Sequence, residues 1–299
     1  MDWQDFSLTL NRNLDRPLRI STVHSVAGGD IHKAYRLHTD RGNLFLKMNR
    51  RECLPLFETE LRNLNAIRQT HSIQAPKPFA CGIYEDKSWL VMAYLPLTGR
   101  GDDRQRGKDL ALMHHQLNQD SRYSTQPFGW FEDNYIGNNR QSNRWHSDWV
   151  GFYGSERLAP QLELASLRGA SPQLFEEGHR LIRNLPLWFE SYHPQASLLH
   201  GDLWGGNSAF TENGDPVIFD PASYYGDRET DLAMTELFGG FSDDFYQGYH
   251  EVFPLDSGYQ SRKPLYNLYH LLNHYNLFGG HYQTQSLQAI RQLLKSKGL

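Results

Sequence analysis

Residues 197–234 read SLLHGDLWGGNSAFTENGDPVIFDPASYYGDRETDLAM, and the surroundings of three aspartates within them, Asp202, Asp220 and Asp231, point to phosphate chemistry. Two apolar runs, Ser197-Leu198-Leu199 and Val217-Ile218-Phe219, flank the turn composition Glu212-Asn213-Gly214-Asp215. That pattern predicts strands joined by a tight reversal. Asp202 follows the first run after His200-Gly201, Asn207 comes five residues later, and Asp220 directly follows the second run. A loop of this length can set Asp202 and Asn207 at one mouth, and the reversal is expected to bring Asp220 back beside them. Phosphoryl transfer uses these groups: a carboxylate that orients an attacking hydroxyl and accepts its proton, and hard oxygens that hold Mg²⁺ against the phosphates.

Working outward, Gln4 to Leu14 carries Phe6, Leu8, Leu10 and Leu14 and predicts a short helix with Pro17 beyond its end. Ile20 to Val26, Ala34 to Thr39 and Leu44 to Met48 read as strands, the last two joined by the hairpin composition Asp40-Arg41-Gly42-Asn43. Gly28 and Gly29 fall in the first reversal, where backbone can approach phosphates closely or simply turn. Lys47 interrupts the apolar run Leu44–Met48, and a lysine there is costly to bury without a partner. Leu56, Phe57, Leu61, Leu64 and Ile67 recur at helical spacing over Pro55 to Arg68, with Glu58 and Glu60 both available to pair with that lysine. Phe79 to Tyr84 and Trp89 to Tyr94 complete five strands. From Asp103 the alternation gives way to helical periodicity. Helices are expected over Trp149–Leu167, Pro172–Phe189, Arg228–Leu237, Asp243–Val252, Lys263–His274 and Thr284–Lys295, after an aromatic, amide-rich segment at 128–145.

The chain resembles the fructosamine/ketosamine kinases, in the aminoglycoside-phosphotransferase-like branch of the protein-kinase-like fold. His200-Gly201-Asp202-Leu203-Trp204-Gly205-Gly206-Asn207 is similar to the family's catalytic loop, and Phe219-Asp220-Pro221-Ala222 to its metal-binding segment. Tyr225–Met234, the 128–145 segment, Phe152-Tyr153, Arg157–Leu162 and Leu277–His281 extend the likeness along the chain and favour ketosamine kinases over kinases at large. The resemblance implies an α+β, bilobal fold. Residues 1–95 would form a nucleotide-binding lobe, a five-stranded antiparallel sheet with one helix, and 96–299 a mostly helical catalytic and acceptor lobe, with the boundary inside Pro96–Asp103.

It also implies roles. ATP and Mg²⁺ would be the cofactors. Gly28 and Gly29 would lie over the phosphates, in a loop that is not a full GxGxxG, and Lys47 would be held toward the nucleotide by Glu60. Met92, Ala93, Tyr94 and Leu95 would form the adenine hinge, acting through backbone groups. Asp202 would accept the proton, Asn207 and Asp220 would bind metal, and His200 and Asp231 would support the loop, Asp231 through backbone N–H groups. Trp204 would either face the sugar or pack beneath the loop. The implied reaction is ATP-dependent phosphorylation of a fructosamine or ribulosamine, free or on a protein lysine, at the 3-hydroxyl, leading to deglycation. The alternatives are another alcohol acceptor such as an aminoglycoside or choline, and an inactive nucleotide-binding member, which would normally lack Lys47, Asp202 or Asp220.

Composition agrees. Aromatics make up 13% of the 299 residues, which excludes a low-complexity chain, and the net charge of −4 gives no reason to expect nucleic acid or an anionic membrane as partner. Cys53 and Cys81 form no CxxC motif, and no apolar run nears the roughly 18 residues of a membrane span. The N-terminus is acidic, with no apolar segment following, so a cytoplasmic enzyme is expected. His270 and His274 have the i, i+4 spacing of a zinc helix but lack the glutamate of a zinc protease and an evident third ligand.

Overall fold

A computed structural model describes residues 2–26, 32–117 and 120–299. The chain divides into two compact units, Met1–Asp102 with Ser208–Pro221, and Asp103–Asn207 with Ala222–Leu299. Together they make the expected α+β class: an antiparallel sheet with two helices in the first, mostly helices in the second.

In the first unit, α1 (Trp3–Asn11) is capped by Asp2, whose carboxylate accepts from the Gln4 and Asp5 amides. The helix stops before Leu14 because the Asn11 amide turns away to bond both backbone groups of Leu18, each at 2.9 Å. Strands β1 (Ile20–Val26), β2 (Lys33–Thr39), β3 (Gly42–Arg50), β4 (Pro78–Tyr84) and β5 (Lys87–Ala93) pair antiparallel in the order β1-β2-β3-β5-β4. Phe6 and Leu10 of α1 pack on one face with Leu44, Leu46, Met48, Tyr84 and Trp89, the Phe6 ring meeting both Tyr84 and Trp89 edge-on. Helix α2 (Leu54–Gln69) starts with Pro55 in its first turn, where a missing N–H costs nothing, and packs on β4 and β5.

The strands of the 197–220 stretch pair differently from the expectation. Ser208–Thr211 forms the hairpin with Pro216–Ile218, and Ser197–Leu198 pairs instead with Tyr225–Gly226. A four-residue reversal pairs whatever flanks it directly, here Phe210 with Pro216, so the earlier apolar run has no route to Val217. Leu97–Thr98 adds an edge to this hairpin, and the Ile218 amide donates to Gln74 O at 3.0 Å.

The second unit holds α3 (Asp103–His114), α4 (Trp149–Phe152), α5 (Ala159–Leu167), α6 (Pro172–Arg183), α7 (Glu229–Leu237), α8 (Asp243–Val252), α9 (Tyr259–Phe278) and α10 (Tyr282–Ser296). A π turn, Tyr153–Leu158, joins α4 to α5 where Glu156 and Arg157 are both buried. The helix expected to run to Phe189 ends at Arg183, and Pro186 sits in a 3₁₀ turn at Leu185–Trp188. The amide-rich segment is a small hairpin, Asn134–Ile136 with Asn139–Gln141. Its buried amides hold the chain after Asp220: Asn134 Nδ2 donates to Ser223 O at 2.8 Å and Gln141 Nε2 to Ala222 O at 3.1 Å. Among the described residues no helix is long and apolar enough to cross a membrane.

Helices α3 and α8 cross with almost no separation. A Cβ on Gly107 would lie 2.0 Å from Phe245 O, and one on Gly248 the same 2.0 Å from Arg104 O. Gly107→Ala must push the helices apart and is expected to destabilise the protein by about 1–3 kcal/mol. Gly99→Ala, with nothing within 4 Å of the added carbon, is the control. The midpoint of urea unfolding should fall for the first and stay for the second.

Candidate active site

The first unit presents a lysine between two carboxylates. Leu44, Leu46 and Met48 alternate into the core under α1, so the pleat turns Lys47 to the opposite face, toward α2. On α2 the residues Phe57, Glu60, Leu64 and Ile67, spaced three, four and three apart, share one face. Glu60 therefore meets Lys47 and Glu58 does not. Lys47 Nζ stands 2.7 Å from Glu60 Oε1 and 2.5 Å from Asp220 Oδ1. Lys47 and Glu60 are nearly buried, with side chains 8% and 11% exposed, whereas Asp220 is half exposed at 48%. Burial alone would lower the Lys47 pKa, but the charges of Asp220 and Glu60 outweigh it and hold the ammonium above its usual value. Burial, against the opposing charge of Lys47, pushes the Glu60 carboxyl up to about 6. His32 lies nearby, its pKa lowered to about 4 by burial and by Lys47, and its Nδ1 is 2.8 Å from Asn49 Nδ2.

Asp220 has φ +59°, a left-handed backbone unusual for a residue with a side chain and frequent at functional positions. The same helix that supplies Glu60 anchors the following residue, since Asn63 Nδ2 donates to Pro221 O at 3.2 Å. Two carboxylates and one ammonium leave this cluster with excess negative charge, and its exposed member is a hard oxygen donor suited to Mg²⁺.

The second unit presents the loop His200–Asn207, braced from below. Asp231, on the first turn of α7, accepts from the His200 amide at 2.7 Å and the Gly201 amide at 2.9 Å. Burial would raise its pKa, but His114 and the Gly201 amide outweigh that and hold it below the usual carboxylate value. His114, kept neutral by burial, donates from Nε2 to Asp231 at 3.1 Å and accepts the Tyr249 hydroxyl at Nδ1, 2.7 Å away. Gly201 has φ +86°, and a Cβ there would lie 2.1 Å from Ala222 O, so only glycine fits. On the other side, the Ala222 amide donates to His200 O at 2.9 Å.

Asn207 Nδ2 donates to Asp202 O at 2.9 Å and approaches Asp202 Oδ2 at 3.3 Å, which turns Asn207 Oδ1 away as an acceptor suited to a cation. The Asp202 amide donates to His200 Nδ1 at 3.2 Å. Trp204 is not packed beneath the loop: it is 41% exposed, and its ring lies over Gly206, where a Cβ would come within 2.3 Å of it.

Lys47, Glu60 and Asp220 thus meet in the first unit, and Asp202, Asn207, His200 and Asp231 in the second. In the 92–95 stretch Met92 is buried, the Ala93 amide bonds Lys77 O at 2.8 Å, and the Tyr94 amide bonds Asn43 O at 3.4 Å. Among the described residues no such bond is seen for the Leu95 amide. Gly28 and Gly29 lie outside the described residues. Two supporting residues carry no signal in the sequence: Asn63, a buried polar residue of α2, and His114 at the end of α3. The zinc spacing of α9 is used internally on one side, since His274 Nδ1 bonds His270 O at 2.8 Å.

The fructosamine kinase family model matches residues 2–296. A probable ketoamine kinase of Synechocystis is 40% identical over 296 residues, covering 98% of this chain and 97% of that protein. The chloroplastic protein-ribulosamine 3-kinase of Arabidopsis thaliana is 40% identical over 279 residues, covering 93% of this chain and 84% of that one. The crystal structure of a fructosamine-3-kinase homologue from Haemophilus somnus 129PT superimposes with a TM-score of 0.85 at 25% identity, covering 98% and 97% of the two chains. With matches over essentially its whole length, this chain belongs to the fructosamine kinase family.

Proposed function

We propose that this protein transfers the γ-phosphoryl group of ATP to the 3-hydroxyl of a ketoamine, a fructosamine or ribulosamine that is free or carried on a protein lysine. The observation that carries the reading is the Lys47 ammonium buried between Glu60 and Asp220, in a chain whose relatives are named for ketoamine phosphorylation. A buried lysine tethered by a glutamate is a point charge positioned for phosphate oxygens. We assign the Leu95 amide, with carbonyls of the 92–95 stretch, to the adenine, and Gly28 and Gly29 to the phosphates.

Asp220 and Asn207 would hold Mg²⁺, through a half-exposed carboxylate and an amide oxygen. When bound, Mg²⁺ neutralises charge on the phosphate oxygens. Asp202 orients the acceptor hydroxyl and takes its proton as the oxygen bonds to phosphorus and the bond to the ADP oxygen breaks. Asn207 keeps Asp202 in place, and the Asp231 brace fixes the loop that carries both. The open face of Trp204 suits the C–H face of the sugar chain. In the 3-phosphate product the C2 carbonyl acidifies the C1–H bonds, so loss of a C1 proton gives a 1,2-enaminol that expels phosphate from C3, and hydrolysis of the resulting C1 imine releases the amine. The reaction is assigned to the cytoplasm, with Cys53 and Cys81 as free thiols.

A coupled ADP-release assay over a panel of ketoamines and aminoglycosides tests the acceptor class. Turnover of ketoamines is expected, and activity confined to aminoglycosides would refute the assignment. The two aspartates should fail differently. Asp202→Asn should lower turnover by about 10²–10⁴-fold while MgATP affinity in calorimetry stays near wild type. Asp220→Asn should weaken MgATP binding as well, and added Mg²⁺ should recover part of the loss. The reverse pattern would exchange the two roles.

Lys47 separates stability from function. Lys47→Met leaves Glu60 buried without its cation and should cost about 3–5 kcal/mol in urea unfolding. Adding Glu60→Gln should return part of that stability and none of the turnover. Recovery of turnover in the double variant would remove Lys47 from the nucleotide site.

A further inference from the structure

Helix α9 brings one more polar side chain to Asp202. His270 is buried, 4% exposed, and among the described residues its Nδ1 has no hydrogen-bond partner. That nitrogen points at the catalytic loop, 4.0 Å from Asp202 Oδ1. The distance is too long for a hydrogen bond. Buried polar atoms are ordinarily paired, so this nitrogen, beside a proposed catalytic group, calls for a partner from outside the chain.

The ring is neutral. Burial, reinforced by His274, lowers its pKa to about 3, with Asp231 opposing and Arg157 adding to the shift. A neutral imidazole carries its proton on one nitrogen, and the carboxylate in front of Nδ1 favours the Nδ1–H form, because a lone pair there would face negative charge. Asp202 Oδ1 and His270 Nδ1–H therefore form an acceptor and a donor separated by 4.0 Å. One hydroxyl oxygen about 2.8 Å from each closes a triangle on that base, donating its proton to the carboxylate and accepting from the imidazole.

We propose that His270 is an acceptor-binding residue, whose Nδ1–H and the Asp202 carboxylate together seat the ketoamine hydroxyl that receives the phosphoryl group. This deepens the proposed function and rests on it. The four tetrahedral directions of the hydroxyl oxygen are then assigned: carbon, the proton directed to Asp202, one lone pair held by His270, and the second lone pair directed to phosphorus. The seat accounts for Asn207 contacting the other carboxylate oxygen, Oδ2, at 3.3 Å, since that contact fixes which oxygen faces His270. It also selects its substrate, because an acceptor lacking a hydroxyl at this point would leave the imidazole donor buried and unpaired.

The test uses isosteres. An asparagine amide nitrogen falls where Nδ1 of histidine stands, whereas leucine fills similar space with no donor. For the full-length enzyme with MgATP and a ribulosamine or fructosamine of lysine, His270→Leu should lower ketoamine kcat/KM by about 10- to 100-fold with KM for ATP unchanged. His270→Asn should restore most of that loss. A leucine variant within two-fold of wild type overturns the assignment, as does equal loss in the asparagine and leucine variants or a parallel rise in both KM values. If the leucine variant does not fold, ¹⁵N-histidine spectra of the wild type decide: adding ketoamine without nucleotide should shift one buried ring resonance that is absent from His270→Asn, and an unmoved resonance overturns it. Wild-type enzyme inert toward ketoamines refutes the proposed function itself, and this assignment with it.

Discussion

An ammonium removed from water is tolerated only where opposite charge and hydrogen bonds replace its hydration, and Lys47 sets that demand on the first unit. The pleat of β3 turns it off the α1 face, α2 meets it with Glu60, and the chain after the 208–218 hairpin returns to meet it with Asp220. The two carboxylates differ in environment. Glu60 is closed in by the sheet and helix and belongs to the scaffold, whereas Asp220 is half exposed on left-handed backbone, its next residue anchored by Asn63. Replacing Lys47 therefore disturbs more than a phosphate contact.

The second unit solves a different problem, that of holding a sharply turned loop rigid. Asp231 does so with both carboxylate oxygens, one on each of two successive amides, and is oriented in turn by neutral His114 and the Tyr249 hydroxyl. Gly201 lets the loop pass within contact of Ala222, and the amides of Asn134 and Gln141 fix Ala222 and Ser223 from the other side. Arg157, buried through its π turn, lies over the Tyr224 ring at 3.8 Å and donates to Asn143. The loop bearing Asp202 is thus positioned by side chains spread over more than a hundred residues of sequence.

Much of this is legible without coordinates. Lys47 stands out as the one cation in the apolar run Leu44–Met48, but the residues of the following helix leave Glu58 and Glu60 both open, and the choice of Glu60 rests on the family resemblance until the structure shows the pair. The hairpin partner of Val217 is not legible from apolar content, because adjacency outweighs it: Ser208–Thr211 is less hydrophobic than Ser197–Leu199 but lies next to the turn. Asn63 and His270 are illegible for another reason. Each lies inside an amphipathic helix, where a polar residue is usually a solvated or satisfied one, and only the fold reveals that one meets Pro221 O and the other Asp202. Helix α9 is longer than the expected 263–274 span: it begins at Tyr259, carries Pro264 within its early turns and runs to Phe278.

The central claim is phosphoryl transfer to one particular carbon of a ketoamine, and the identity of the product tests it most directly. The enzyme would be incubated with MgATP and a ribulosamine or fructosamine of lysine, and the product examined by phosphorus–proton correlation spectroscopy. The account predicts a phosphate ester coupled to the proton on C3, followed by slow loss of phosphate and appearance of free lysine. A phosphate on another carbon, or ATP consumed with no sugar ester formed, would contradict it.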